Sequence, residues 1–220
     1  MPSLQAVIFD VDGVLIDSYH AHFESWRIVA AEHGMVMTPE DFHATFGRTS
    51  RETVRAAWPE RSFSDEQVRQ LDEEKEAVYR KLLAENFPAM PGAVALIADL
   101  AATGVGLAVG SSGPPPNVRL TLDLLGCKEQ FQVVVTGADV TRGKPDPEVF
   151  LTAAQRLGLS PADCLVIEDA AAGIKAAQSA GMKAVGLVST GHTRQELAAA
   201  DLLVDQLADL TVARLQQLAV

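Results

Sequence analysis

Apolar residues gather in short runs that do not alternate with polar ones. Residues 6–9, 105–109, 133–135, 165–167 and 184–188 are apolar at nearly every position, and 202–204 is a weaker run of the same kind. Strands buried on both faces of a parallel sheet read this way, because neither face meets water. Between the runs the apolar spacing becomes helical. Residues 147–157 close at Gly158 and residues 171–180 close at Gly181, glycine being a common residue just past a helix end. Strand and helix alternate, which predicts an α/β fold with a doubly wound, parallel-sheet, Rossmann-like core.

One stretch breaks the rhythm. From residue 18 to about residue 86 there is no strand pattern, whereas Thr38-Pro-Glu-Asp41 and Ser64-Asp-Glu-Gln67 place a hydroxyl residue three before a polar side chain, a helix-start signature. The expected organisation is a core of residues 1–17 and 88–220 with an all-helical cap, 18–87, inserted after the first strand. Doubly wound sheets bind ligands at the carboxyl ends of their strands, so a cap leaving there is expected to cover that edge. Hinges are expected near residues 15–18 and 86–92.

Composition narrows the partners. The chain of 220 residues is 48% hydrophobic and 21% charged, which suits a packed globular core. No apolar run approaches the ~18 residues of a membrane span. The first six residues carry no basic patch and lead into a strand, so they are not expected to be a signal peptide. With only Cys127 and Cys164 present, no disulfide framework is expected, which fits the cytoplasm. A formal net charge of -11 disfavours nucleic acid and anionic membrane as partners. A phosphate ligand would need local attraction from a metal, a few cations and backbone N–H groups. The sequence does not fix an oligomeric state.

Candidate chemistry sits where the apolar runs stop. Asp10 and Asp12 follow the first run, and Glu168-Asp169 follow another. Paired carboxylates at a strand end repel one another and are costly to desolvate, unless a divalent cation binds them. Mg²⁺ suits such a site, taking one or two carboxylates and keeping water and substrate phosphate elsewhere. A plain acidic turn at Asp12-Gly13 fits the first pair alone, but two strands delivering carboxylates to one sheet edge favour a metal site. Ser111, followed by Ser112, stands after the run 105–109, where a hydroxyl and free backbone N–H groups can hold a phosphate oxygen or form an ordinary loop. Lys144, in Arg142-Gly-Lys-Pro-Asp-Pro147, lies on a loop stiffened by two prolines, either solvated or balancing charge at a carboxylate nucleophile.

Together the four segments resemble the motifs of the haloacid dehalogenase superfamily, in the right order and over essentially the whole chain. Asp10-Val-Asp-Gly-Val-Leu-Ile-Asp17 is similar to its first motif, Ser111 to its second, Lys144 in Gly-Lys-Pro to its third and Glu168-Asp169 to its fourth. The insertion resembles the small helical cap of the β-phosphoglucomutase and phosphoglycolate-phosphatase-like subgroup. The resemblance implies that Asp10 attacks phosphorus to give an aspartyl-phosphate while Asp12 acts as general acid and then base. It implies Mg²⁺ on the Asp10 carboxylate, the Asp12 backbone carbonyl and Asp169, with Glu168 a further ligand or an outer support. Ser111 and Lys144 would hold phosphoryl oxygens. Asp12 argues against a true dehalogenase, which lacks this acid because halide needs no proton.

Three cap residues bear on substrate. Lys75 lies four after Leu71 and three before Val78, on an apolar stripe with Val68 and Leu82. His22 lies four before Trp26 on another. A polar group on a buried stripe either snorkels or faces a site. Arg51 stands at a helix start capped by Thr49 or Ser50, where it is a solvated first-turn residue or a phosphate ligand. His22-Phe-Glu-Ser-Trp26, Ser50-Arg51 and Lys75 resemble substrate contacts of β-phosphoglucomutase-like proteins. Those mutases usually carry Lys and Asn soon after the second-motif Ser; here Gly113-Pro-Pro-Pro116 intervenes before Asn117. The resemblance therefore implies a small-molecule phosphomonoester hydrolase first, a sugar phosphomutase second and a non-catalytic ligand-binding module third.

Overall fold

The computed structural model describes residues 4–219; of the segment read as leading into a strand, residues 1–3 lie outside the described residues. Strands β1 (Ala6–Phe9), β2 (Gly106–Gly110), β3 (Val133–Val135), β4 (Cys164–Glu168), β5 (Lys183–Leu187) and β6 (Leu202–Val204) form one sheet, ordered β3-β2-β1-β4-β5-β6. Every neighbouring pair runs parallel. Each of the six apolar runs is thus a strand, with ends shifted by a residue or so.

Side chains alternate between the two faces along each strand. Ala6, Ile8, Ala108, Cys164 and Val166 pack with Val149, Phe150, Ala153 and Ala154 of α7 (Glu148–Leu157) and Ile174 and Ala177 of α8 (Ala171–Ser179). The intervening Val7, Phe9, Leu107, Val109, Leu165 and Ile167 are equally buried. Both faces are therefore covered, which is why the strands read as unbroken apolar runs.

The chain divides into two compact units. One runs through Asp17 and resumes at Pro88; the other is Ser18–Phe87. The second unit is helical, with α1 (Tyr19–Glu32), α2 (Pro39–Thr45), α3 (Ser50–Ala57) and α4 (Asp65–Glu85). Thr38 caps α2, and full capping boxes pair Thr49 with Glu52 at α3 and Ser64 with Gln67 at α4. The unit has its own core, including Trp26, Val29, Phe42, Val54, Trp58 and Leu71.

The stripe on α4 differs from the sequence expectation. Its buried residues are Val68, Leu71, Lys75, Tyr79 and Leu83, while Val78 and Leu82 are half-buried. The i+4 row, rather than the row through Val78, turns inward where α4 packs along α1. Lys75 therefore lies in the middle of the buried row.

The remaining helices, α5 (Ala93–Ala102), α6 (Pro115–Leu125) and α9 (Val212–Leu218), belong to the first unit with α7 and α8. Pro114, Pro115 and Pro116 occupy the N-cap and first turn of α6. A missing N–H is tolerated there, because first-turn N–H groups have no partner inside the helix.

Candidate active site

The sheet order reverses direction at β1, since β2 and β3 lie to one side and β4 to β6 to the other. Carboxyl ends of the strands flanking such a switch point form the ligand crevice of doubly wound folds. Asp10 comes directly after β1, and its N–H donates to Ile167 O on β4 at 3.0 Å. Glu168 ends β4 and Asp169 follows it; Ser111 follows β2. Three adjacent strands thus deliver these residues to one edge.

Lys144 joins them from the loop before α7. Its Nζ donates to Asp10 Oδ1 and to Glu168 Oε1, each at 2.7 Å, and lies 4.9 Å from the centre of the Phe150 ring. Glu148 holds the loop: its carboxylate accepts from Thr141 N at 3.0 Å and Arg142 N at 2.9 Å. The second oxygen of Glu168 accepts the N–H groups of Asp169 and Ala170, both at 2.7 Å. Glycine makes room for these carboxylates. A Cβ at Gly173 would lie 1.8 Å from Glu168 Oε1, and one at Gly13 would lie 1.7 Å from Asp169 Oδ2. Gly13 also holds a φ of +72°, which side chains rarely adopt.

Asp10, Glu168 and Asp169 each present an oxygen within 4.8 Å of the others, and all three are buried. Three carboxylates against one ammonium leave two negative charges, and every donor is oxygen. That set fits a hard divalent cation. The electrostatics show the same imbalance. Burial, opposed by Lys144 and reinforced by the charges of Glu168 and Asp12, pushes the Asp10 carboxyl up to about 7. Burial and the charges of Glu168 and Asp10 raise Asp169 well above the ordinary carboxylate value. Burial alone would lower Lys144, but Asp10 and Glu168 outweigh it and hold the ammonium above the usual lysine value.

Ser111 is buried, and its Oγ accepts the N–H of Gly113 at 3.0 Å. Among the loop N–H groups considered for phosphate, that of Ser111 is taken. Ser111 N–H donates to Val135 O at 3.0 Å, because pairing with β3 continues one residue past β2. The hydroxyl proton remains available to a ligand. Asp12 is half-buried nearby: a Cβ at Gly113 would lie 3.2 Å from Ser111 Oγ and 3.7 Å from Asp12 Oδ2. Ser112 is exposed.

In the helical unit, His22 and Lys75 come together. Lys75 Nζ lies 2.8 Å from His22 Nδ1 and 2.7 Å from Glu76 Oε1, and His22 stacks on Tyr79 with ring centres 4.1 Å apart. Arg51 does not join them; it pairs with Asp65 at 2.6 Å, where both side chains are exposed. Sequence reasoning missed Ser189, whose Oγ donates to Asp169 Oδ2 at 2.6 Å. It also missed Thr190, which donates to Asp17 Oδ2 at 2.8 Å. The only sequence signal is a hydroxyl pair after the run 184–188, and its partners emerge only once β5 is placed beside β4.

Residues 4–181 match the family model described as haloacid dehalogenase-like hydrolase. The chain is 34% identical to a β-phosphoglucomutase of Bacillus subtilis (strain 168), over 97% of this chain and 95% of that one. It is 36% identical to the validoxylamine A 7'-phosphate phosphatase of Streptomyces hygroscopicus subsp. limoneus, over 94% and 95%. The crystal structure of a β-phosphoglucomutase from Clostridium difficile superposes with a TM-score of 0.86 at 29% identity, covering 98% of this chain and 97% of that one.

Proposed function

Because the chain belongs to the haloacid dehalogenase-like hydrolase family, we propose that it is a cytoplasmic, Mg²⁺-dependent phosphatase of small phosphomonoesters, of the sugar-phosphate class, working through an aspartyl-phosphate on Asp10. The observation that carries this reading is the buried meeting of Asp10 with Lys144, Glu168 and Asp169 at the switch point of the sheet. Relatives named as a sugar phosphomutase and as a phosphatase of a phosphorylated metabolite support the substrate class.

In the first half-reaction a carboxylate oxygen of Asp10 bonds to phosphorus as the bond from phosphorus to the ester oxygen breaks. Asp12 gives its proton to that departing oxygen. In the second, water attacks phosphorus and Asp12 takes the water's proton. Asp10 leaves as carboxylate, and inorganic phosphate is released. Division into two displacements makes each easier, and positioned proton transfer contributes about 10²–10⁴-fold. Lys144 balances the charge of the nucleophile, and the Ser111 hydroxyl donates to a phosphoryl oxygen, with Ser112 beside it. Mg²⁺, with Asp10, Asp169 and the Asp12 backbone carbonyl as protein ligands, would supply the neutralisation that lets a carboxylate approach an anionic phosphate. Glu168 has both oxygens engaged, which supports a role in holding Lys144 beside that site.

Water, rather than a second sugar hydroxyl, is the preferred acceptor. A mutase must grip a bisphosphate, and the cations assigned to substrate binding in the helical unit already have anionic partners. Lys75 is paired with Glu76 and Arg51 with Asp65. The first turn of α6 holds two prolines and so offers fewer N–H donors. The test is release of inorganic phosphate from a panel of phosphomonoesters with Mg²⁺, followed by β-glucose 1-phosphate. Free phosphate supports the hydrolase. Conversion to glucose 6-phosphate without net phosphate release replaces it with a mutase. No turnover of any ester, with ligand binding unaffected by Asp10→Asn, replaces it with a binding module.

A further inference from the structure

Asp169 takes its side-chain hydrogen bond from outside the four sequence segments that define the site. Strand β5 pairs with β4 so that Gly186 lies opposite Glu168. The chain then runs through Val188 into Ser189, whose Oγ donates to Asp169 Oδ2 at 2.6 Å. Two further contacts meet the same oxygen. The Cα of Gly13 is so close that a Cβ there would lie 1.7 Å from Oδ2 and 3.0 Å from Ser189 Oγ. His192 Nε2, from the same loop as Ser189, lies 3.9 Å from Oδ2. Oδ1 takes part in none of these contacts. Oδ2 is therefore pinned, while the carboxylate also contributes an oxygen to the cluster with Asp10 and Glu168.

We infer that Ser189 is a positioning residue for the cation, fixing Asp169 through Oδ2 so that Oδ1 is presented to the ion. The inference rests on the metal site proposed above. An aspartate carboxylate turns easily about its last bond, and a ligand that must be immobilised when the ion arrives binds it less tightly. A short hydroxyl–carboxylate hydrogen bond removes that motion in advance. Partners that orient a metal ligand are typically worth 10–100-fold in affinity.

The loop supplies its own control. Thr190, the next residue, donates to Asp17 Oδ2 at 2.8 Å and makes no hydrogen bond to Asp169. Mn²⁺, whose free form is counted directly by its paramagnetic resonance signal, serves as the probe. It is titrated into the unaltered protein, Ser189→Ala, Ser189→Thr and Thr190→Val. Melting without metal verifies that each variant is folded. The expected result is Mn²⁺ binding about 10–100-fold weaker in Ser189→Ala, near-normal binding in Ser189→Thr, which keeps the hydroxyl, and normal binding in Thr190→Val. In turnover, Ser189→Ala needs more Mg²⁺ but reaches close to the wild-type kcat once saturated. Wild-type affinity in Ser189→Ala overturns the inference while leaving the metal site standing. Equal weakening in Thr190→Val also overturns it, assigning the effect to the loop as a whole. A wild-type protein that binds no Mn²⁺ overturns the metal site itself.

Discussion

Lys144 Nζ sits 2.7 Å from Asp10 Oδ1, with both side chains buried. The same ammonium lies 2.7 Å from Glu168 Oε1, so one positive charge serves two carboxylates. Lys144→Met keeps the bulk and removes that charge. The expected result is a fall in kcat/KM of about 10²–10³-fold, the size typical of losing one preorganised electrostatic contact. Lys144→Arg is not expected to restore activity, because a planar guanidinium is larger and cannot replace a compact ammonium between two fixed oxygens. Phosphate release at saturating Mg²⁺ is the measurement. A Met variant that keeps most of its rate would remove Lys144 from the mechanism.

Asp10 carries a pH signature. Its carboxyl is raised from an ordinary 3.8 to about 7, chiefly by burial. The native state therefore holds this proton across a window in which the unfolded chain has lost it. The stability contributed by the group is full below about pH 4, declines as pH rises and is lost once pH passes about 7. Asp10→Asn removes the titration and leaves Lys144 its bond to Glu168. Without metal, this variant should melt above the wild type at pH 8, and the gap should close by about pH 4. Differential scanning calorimetry across that range tests it. A gap that stays constant with pH would show that Asp10 is ionised in both states. Cation binding should also release protons near pH 6.5, measurable by calorimetry in buffers of different ionisation heat.

How much of this was legible in the sequence depends on which physical rule wrote each feature. Asp10, Glu168 and Asp169 were legible because an unbroken apolar run that stops at a carboxylate marks both a buried strand and its end. The Pro-flanked loop alone left Lys144 either solvated or balancing charge, and only the resemblance to the third motif pointed it at the site. The inward row of α4 was not. Tyr79 and Leu83 are buried in place of Val78 and Leu82, because the amphipathic stripe is wide and only packing on α1 chooses its centre. Which N–H groups stay free after β2 was not legible for a related reason: that of Ser111 goes to Val135, since the length of the pairing with β3 is a tertiary fact. Ser189 carried no usable signal, because nothing local in the chain says that β5 lies next to β4.

Arg51 and Lys75 share a substrate-binding assignment from the resemblance, and the structure separates their surroundings. Arg51 pairs with Asp65 in solvent, with side chains 48% and 74% exposed, a pair worth about 0–1 kcal/mol. Lys75 is buried between His22 and Glu76, with its Nζ 5.3 Å from the centre of the Tyr79 ring. Removing its ammonium leaves the Glu76 carboxylate without that partner, which costs about 3 kcal/mol at most because Glu76 keeps some solvent. If both residues bind substrate, as the resemblance implies, Arg51→Ala and Lys75→Met both raise KM, yet only Lys75→Met lowers Tm appreciably, by about 2–4 °C per kcal/mol lost. Thermal melting and steady-state kinetics on the two variants separate binding from folding. An unchanged KM in Arg51→Ala, whose fold has little to lose, would take Arg51 out of substrate recognition. An unchanged KM in a destabilised Lys75→Met would make Lys75 a packing residue of the helical unit.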